Sequence, residues 1–313
     1  VLYLRKIVPF VPAHSTAIAD LREHLELSRA ELRLLTRFLG LERVVIAEGL
    51  STLDMLLSIG QEALADLDRS RVRCLIHAHT VQHLAPPGLR WMDVLRAKLG
   101  LDGATAFSMS HQGCTVGLNV LKVAESLLAA EPAGSTALVL VGEKALSSVM
   151  QHLPGTSVLG DATVGLVVGL EGPGDALLSV AHRTRGEFHQ AMNMPEELQH
   201  HYTLAYAPEL ASVILDAVNA AGLDLDRIDL VLPHNVNRYS WTTTARRLGL
   251  PLDRIYLKNV PKTGHCFCAD PFMNLSTARA EGVVRPGATV LLASAGQGGT
   301  FTAAVARTST GQE

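Results

Sequence analysis

The sequence predicts an α/β fold made of two similar halves, and three observations lead there. Short β-branched or leucine-rich runs alternate with longer helical patterns, which implies a sheet covered by helices on both faces. The same order of elements occurs twice: helix, strand, histidine-bearing turn, helix ending in Leu-Gly-Leu, a turn rich in glycine and cysteine, helix, strand. Third, 313 residues with 48% hydrophobic side chains and a net charge of −3 can bury a large core, and they exclude disorder for the chain as a whole.

Along the chain, strands are expected at Arg73 to Ala78, Ala137 to Val141, Val164 to Gly169, Asp229 to Leu232, Thr289 to Ala293 and Thr302 to Ala306. A helix is expected over Thr115 to Ala130, with Val116, Val120, Val123, Ala124 and Leu127 on one face. The repeat shows at matching places: LIHAHTVQ (75–82) answers LVLPHNVN (230–237), AKLGL (97–101) answers RRLGL (246–250), and LVLV (138–141) answers VLLA (290–293). Gly172-Pro173-Gly174 punctuates the chain between the copies, so the halves are divided as residues 1–171 and 172–313.

Other classes recede on composition. No run approaches the ~18 apolar residues of a membrane span, and the N-terminal VLYLRKIVPF has no signal-peptide pattern. With 27 basic against 30 acidic residues, nothing global points to nucleic acid or an anionic membrane. Four cysteines are too few for a disulfide scaffold, so a reduced, cytoplasmic protein is expected.

The equivalent turns of the two halves carry the reactive side chains. In SHQGCTVGLNVLKVAESLL, Cys114 follows a glycine and opens a helix, where unpaired N–H groups and the helix dipole favour a thiolate. In the second half, PHNVN places His234 just after a strand, and TGHCFCAD places His265 in the turn matching that of Cys114. If the halves pack about a pseudo-twofold axis, these turns converge, giving a nucleophile with a base and a donor for a developing oxyanion. His77, His79 and His111 are read as structural, and Cys266 and Cys268 as small packed residues. No metal is expected, because His265-Cys266-x-Cys268 lacks a second ligand pair at zinc-like spacing. Gly296-Gln-Gly-Gly299 leads into a strand-like segment, not the helix a dinucleotide fingerprint requires.

At these residues the chain resembles the β-ketoacyl-ACP synthase III group of the thiolase superfamily. Cys114 stands before its helix, PGTSVLGDATVGLVVG (154–169) stands for the family's Gly-Asp-Gly-Ala segment, and PHNVNRYSWTTTARRLGL (233–250) stands for its Pro-His-Gln-Ala-Asn segment. The closing RPGATVLLASAGQGGTFTAAVART (285–308) matches its last strand, glycine-rich loop and final strand. The resemblance implies a thiolase-like five-layered αβαβα fold, a homodimer, and no permanently bound cofactor. Cys114 matches the acyl-accepting nucleophile and His234 the active-site histidine. The backbone amides of Cys114 and of the loop at Gln297 match the oxyanion hole. The acyl group would arrive on the phosphopantetheine arm of coenzyme A or an acyl carrier protein.

The departures from the family are as informative. His265 stands where synthase III enzymes carry Asn, and Thr-Gly-His-Cys is similar to condensing enzymes with two histidines and to thiolases. Arg238 comes one place before the family's carrier-docking arginine, and the coenzyme A adenine clamp has no match. The expected reaction is condensation of acyl-Cys114 with a malonyl-type thioester in fatty-acid or polyketide-like biosynthesis, with both histidines neutral and donating to the enolate. The alternative is transfer of the acyl group to a hydroxyl or amine of a specialised metabolite. The strand leading to Val141 is expected to be a sheet edge that pairs with its mate across the dimer.

Overall fold

A computed structural model describes residues 1–82, 84–85 and 88–311. Nine strands form one mixed sheet: β1 (Leu2–Phe10), β2 (Val72–Ala78), β3 (Thr105–Met109), β4 (Thr136–Glu143), β5 (Ala162–Gly169), β6 (Asp175–Thr184), β7 (Leu230–Pro233), β8 (Thr289–Gly296) and β9 (Thr300–Arg307). Their spatial order is β7-β8-β9-β6-β1-β5-β4-β2-β3. The middle of that order is a seam, where β1 meets β6 antiparallel through Leu2 opposite Leu177 and Leu4 opposite Asp175. Outward from the seam the first half runs β1-β5-β4-β2-β3 and the second runs β6-β9-β8-β7. Beyond β7, a single parallel bridge from Val231 to Ile255 stands where the first half has β3.

Side-chain alternation builds the layers. In β4, Leu138 and Leu140 face outward onto Leu56 and Ile59 of α1 (Thr52–Ala63) and Leu95 of α2 (Trp91–Lys98). Ala137, Val139 and Val141 of the same strand face inward, onto α3 (Val116–Leu128) and α6 (Asp270–Ala280). In the second half, Leu291 and Ala293 of β8 face outward onto α4 (Glu196–Ala220) and α5 (Arg238–Leu248), while Val290 and Leu292 face the same central helices. The result is five layers: α1 and α2, half-sheet, α3 and α6, half-sheet, α4 and α5. Burial on both faces is why these strands read as unbroken apolar runs.

The six strands read from the sequence are all present. Three others have no clean apolar run: Lys6 and Pro9 interrupt β1, Thr105 and Ser108 of β3 are exposed, and β6 ends in exposed polar residues. The helix after Cys114 is buried on more than the expected stripe, since Leu118, Asn119 and Leu121 are covered as well. Lying between two half-sheets, it has little solvent face in its first turns.

One expectation is corrected. The strand leading to Val141 is no edge: β4 is paired along its length with β2 on one side and β5 on the other. The open edge of the first half-sheet is β3, which among the described residues pairs only with β2. Four residues separate it from Cys114, so the strand just before that cysteine in sequence is the one with an open edge.

Candidate active site

Cys114 is set by a tight turn. His111 and Gly113 adopt φ of +67° and +54°, the left-handed region, and Gly113–Thr115 then forms a single 3₁₀ turn feeding α3. Thr115 and Thr300 both donate hydroxyl hydrogen bonds to the Gln112 carbonyl, and Ser294 donates to the carbonyl of Cys114 itself at 2.8 Å. The backbone of this turn is thus fixed in part by Ser294 and Thr300 of the second half. A Cβ on Gly113 would lie 2.8 Å from Gly296 Cα and 3.3 Å from Gln297 N, so the cysteine turn and the glycine-rich loop are packed backbone to backbone. That loop is the tight connection of the β8–β9 hairpin.

The second half supplies the partner. His265 is held by its backbone, with its N–H donating to Val158 and its carbonyl accepting from Gly160, both in the 154–169 segment. Its Nε2 lies 3.1 Å from Cys114 Sγ, and its Nδ1 lies 2.5 Å from Asp270 Oδ2. Cys114 is 9% exposed, while His265 and Asp270 are buried. Asp270 opens α6 and also accepts from the backbone N–H of Asn235 and of Cys266 and from the Asn235 side chain, so four N–H groups converge on one carboxylate. Burial would push the His265 imidazole down, but the Cys114 sulfur and the Asp270 carboxylate outweigh it and raise it to about 10.

This geometry gives His265 a carboxylate partner that the reading of two neutral donors did not include. With Nδ1–H facing a carboxylate, Nε2 is left facing the thiol, an arrangement suited to accepting its proton. Sequence reading missed Asp270. It lies five residues after His265 in TGHCFCAD, a spacing that spans a turn and becomes a contact only because α6 begins there.

His234 lies beside this pair. Burial and the nearby His265 hold it well below the ordinary imidazole range, and its ring lies 5.6 Å from that of His265. Its N–H donates to Ala293, and Trp241 donates to its carbonyl at 2.8 Å. The far end of the ring, Nε2, is 2.8 Å from the hydroxyl of Tyr206 on α4. One turn earlier on that helix, Tyr202 donates to the Gly296 carbonyl at 3.2 Å. Both phenols are raised by burial and also feel the Cys114 sulfur.

The remaining candidates stay apart from this chemistry. Cys266 and Cys268 are fully buried thiols pushed well up by burial, and His77 stacks on His79 while its Nε2 meets the Gly142 carbonyl. Among the described residues no three His, Cys, Asp or Glu side chains are arranged to hold a metal, and no helix is long and apolar enough to cross a membrane.

Known proteins share this arrangement of halves. Residues 218–308 match the family described as 3-oxoacyl-[acyl-carrier-protein] synthase III C terminal. The chain is 27% identical to a beta-ketoacyl-[acyl-carrier-protein] synthase III of Nitratidesulfovibrio vulgaris over 293 residues, covering 84% of this chain and 85% of that one. Over that segment, and at low identity over most of its length, the chain is similar to the β-ketoacyl-ACP synthase III proteins. Among solved structures, the chain superposes on the acyltransferase ChlB3 with a TM-score of 0.87 at 22% identity, covering 99% of this chain and 98% of that one. The 3-oxoacyl-[acyl-carrier-protein] synthase III of Aquifex aeolicus gives 0.80 at 20% identity, covering 98% and 100%. Those two likenesses establish the thiolase fold with its duplicated halves.

Proposed function

We propose that the protein loads an acyl group from a coenzyme A or carrier-protein thioester onto Cys114 and passes it to a hydroxyl or amine. It is an enzyme of the transferase class, and acyl transfer in biosynthesis is its chemistry. The observation that carries the choice of acceptor is the Cys114–His265–Asp270 relay, a base assembled beside the acyl site. In loading, His265 Nε2 takes the thiol proton and Cys114 Sγ attacks the thioester carbonyl. The expelled pantetheine thiolate then takes that proton from His265, leaving a neutral imidazole beside acyl-Cys114. In transfer, His265 takes the proton of the incoming O–H or N–H as that atom attacks, and the Cys114 thiolate leaves. An oxyanion hole from the backbone amides of Cys114 and the Gln297 loop fits the tight packing of that turn and loop.

Decarboxylative condensation is the second reading. It is favoured by the relatives' name and by a neutral His234 next to the relay. The two differ in the acceptor, so the test is to load Cys114 from a panel of acyl thioesters, read by intact mass. Malonyl thioester is then offered in parallel with small alcohols and amines. Carbon dioxide and a β-keto product from malonyl thioester, with no ester or amide formed, would overturn the first reading.

No cofactor beyond the acyl donor is needed for this route. We further propose a homodimer paired through the open edge of β3, and a reducing cytoplasm as the setting for four free, buried cysteines.

A further inference from the structure

His234 is fully buried, yet its two ring nitrogens are treated unequally. Nε2 meets the Tyr206 hydroxyl at 2.8 Å, whereas Nδ1 is buried without a partner among the described residues. The hydrogen-bond inventory decides which group donates. If His234 donated from Nε2, both the Tyr206 proton and the Nδ1 lone pair would be left without a partner among the described residues. If Tyr206 donates, only the Nδ1–H is unmet. Tyr206 is also a phenol that burial keeps protonated, which makes it a permanent donor. The ring of Tyr206 is fixed by edge contacts with Tyr202 and Phe301, so the hydroxyl is held in place by packing as well.

We propose that Tyr206 is a positioning residue that locks His234 with its proton on Nδ1, and so selects against malonyl-type acceptors. A malonyl thioester that loses carbon dioxide leaves an enolate oxygen that needs an N–H donor. The end of His234 that meets Tyr206, whose phenol feels the Cys114 sulfur, is Nε2, and here it carries a lone pair already taken. A hydroxyl or amine acceptor has no such requirement, because its proton goes to His265. The inference deepens the acyl-transfer reading and rests on it for its consequence. The tautomer itself does not depend on that reading.

The test is Tyr206→Phe, which keeps the ring and removes the donor. The first measurement is activity-free: ¹⁵N shifts of histidine-labelled protein, with His234 assigned by comparison with His234→Gln. The expected result is an Nδ1–H tautomer in the parent and an Nε2–H population in the variant. The second uses acetyl-coenzyme A to load Cys114, followed by [¹⁴C-carboxyl]malonyl-coenzyme A or a small-alcohol and amine panel. Loading is expected to stay within ~3-fold of the parent, since Tyr206 makes no hydrogen bond to the Cys114 relay. Release of labelled carbon dioxide is expected to rise by about tenfold, the worth of one hydrogen bond. An Nε2–H tautomer already present in the parent would overturn the proposal, as would an unchanged tautomer in a variant that loads normally. A tautomer switch without any gain in decarboxylation would overturn the selective role. If the parent uses only malonyl-coenzyme A, the acyl-transfer reading fails, while the tautomer measurement still judges the lock.

Discussion

Asp270→Asn probes the relay most directly, because it removes a charge while keeping size. The carboxylate lies 2.5 Å from His265 Nδ1 in a fully buried setting. With an effective dielectric constant of about 20, two unit charges at that separation attract by about 7 kcal/mol, on the order of 10⁵-fold in the population of the imidazolium. That imidazolium forms whenever Cys114 gives up its proton, so alkylation by iodoacetamide at pH 7 and acyl loading should both slow by on the order of 10⁵-fold. Stability falls as well. Oδ2 accepts from Asn235 N and Oδ1 from Cys266 N, so the new NH₂ faces a backbone N–H whichever way the amide turns. One lost buried acceptor costs about 1–3 kcal/mol, and a melting curve separates that loss from the chemical one. Cys114→Ala gives the background, since the other three cysteines are buried. A folded Asp270→Asn protein that is alkylated within about tenfold of the parent would refute the relay.

Other outcomes follow from the same geometry. His265→Asn and His265→Ala should both lose Cys114 loading, by about 10²–10⁴-fold, because neither offers a basic nitrogen to the thiol; survival of loading in both would return His265 to a donor role. Glu143 is buried and raised to about 7, with Thr80 and Val81 N–H groups on one of its oxygens. Its native value lies above the unfolded one, so its contribution is fully present below about pH 4.5 and is lost as the pH rises to about 7. Glu143→Gln keeps an acceptor for both N–H groups, so urea titrations should show a flatter dependence from pH 5 to 8 and a gain of about 3 kcal/mol at pH 8. Gly117→Ala would set a Cβ 2.5 Å from the Cys268 carbonyl, so α3 must shift; about 1–3 kcal/mol of stability should go, and loading of Cys114 with it.

The sequence speaks clearly where apolar runs are long and motifs are local. The two halves, the Cys114 turn, the helix after it and the histidine-bearing ends of the second half all lie in such segments. Asp270 and Tyr206 do not. An aspartate five residues from a histidine has no periodicity to mark it, and Tyr206 sits inside α4 among polar and apolar residues with no motif around it. Their roles arise from packing between the layers, which pattern reading does not reach. The misplaced sheet edge has a similar cause. The strand read from Ala137 to Val141 is the most apolar in the first half, but apolarity marks the sheet centre, and the true edge at β3 is the strand with exposed Thr105 and Ser108.

The nucleophile and its base come from opposite sides of the seam, 151 residues apart, so the 3.1 Å between Sγ and Nε2 gauges how the halves are registered. A slip of about 1 Å breaks that hydrogen bond while leaving each half's own secondary structure intact. Cys114 therefore serves as a built-in strain sensor. During denaturant titration its reactivity reads the mating of the two half-sheets, and a loss of reactivity ahead of the helical signal would mark the seam as the first joint to open.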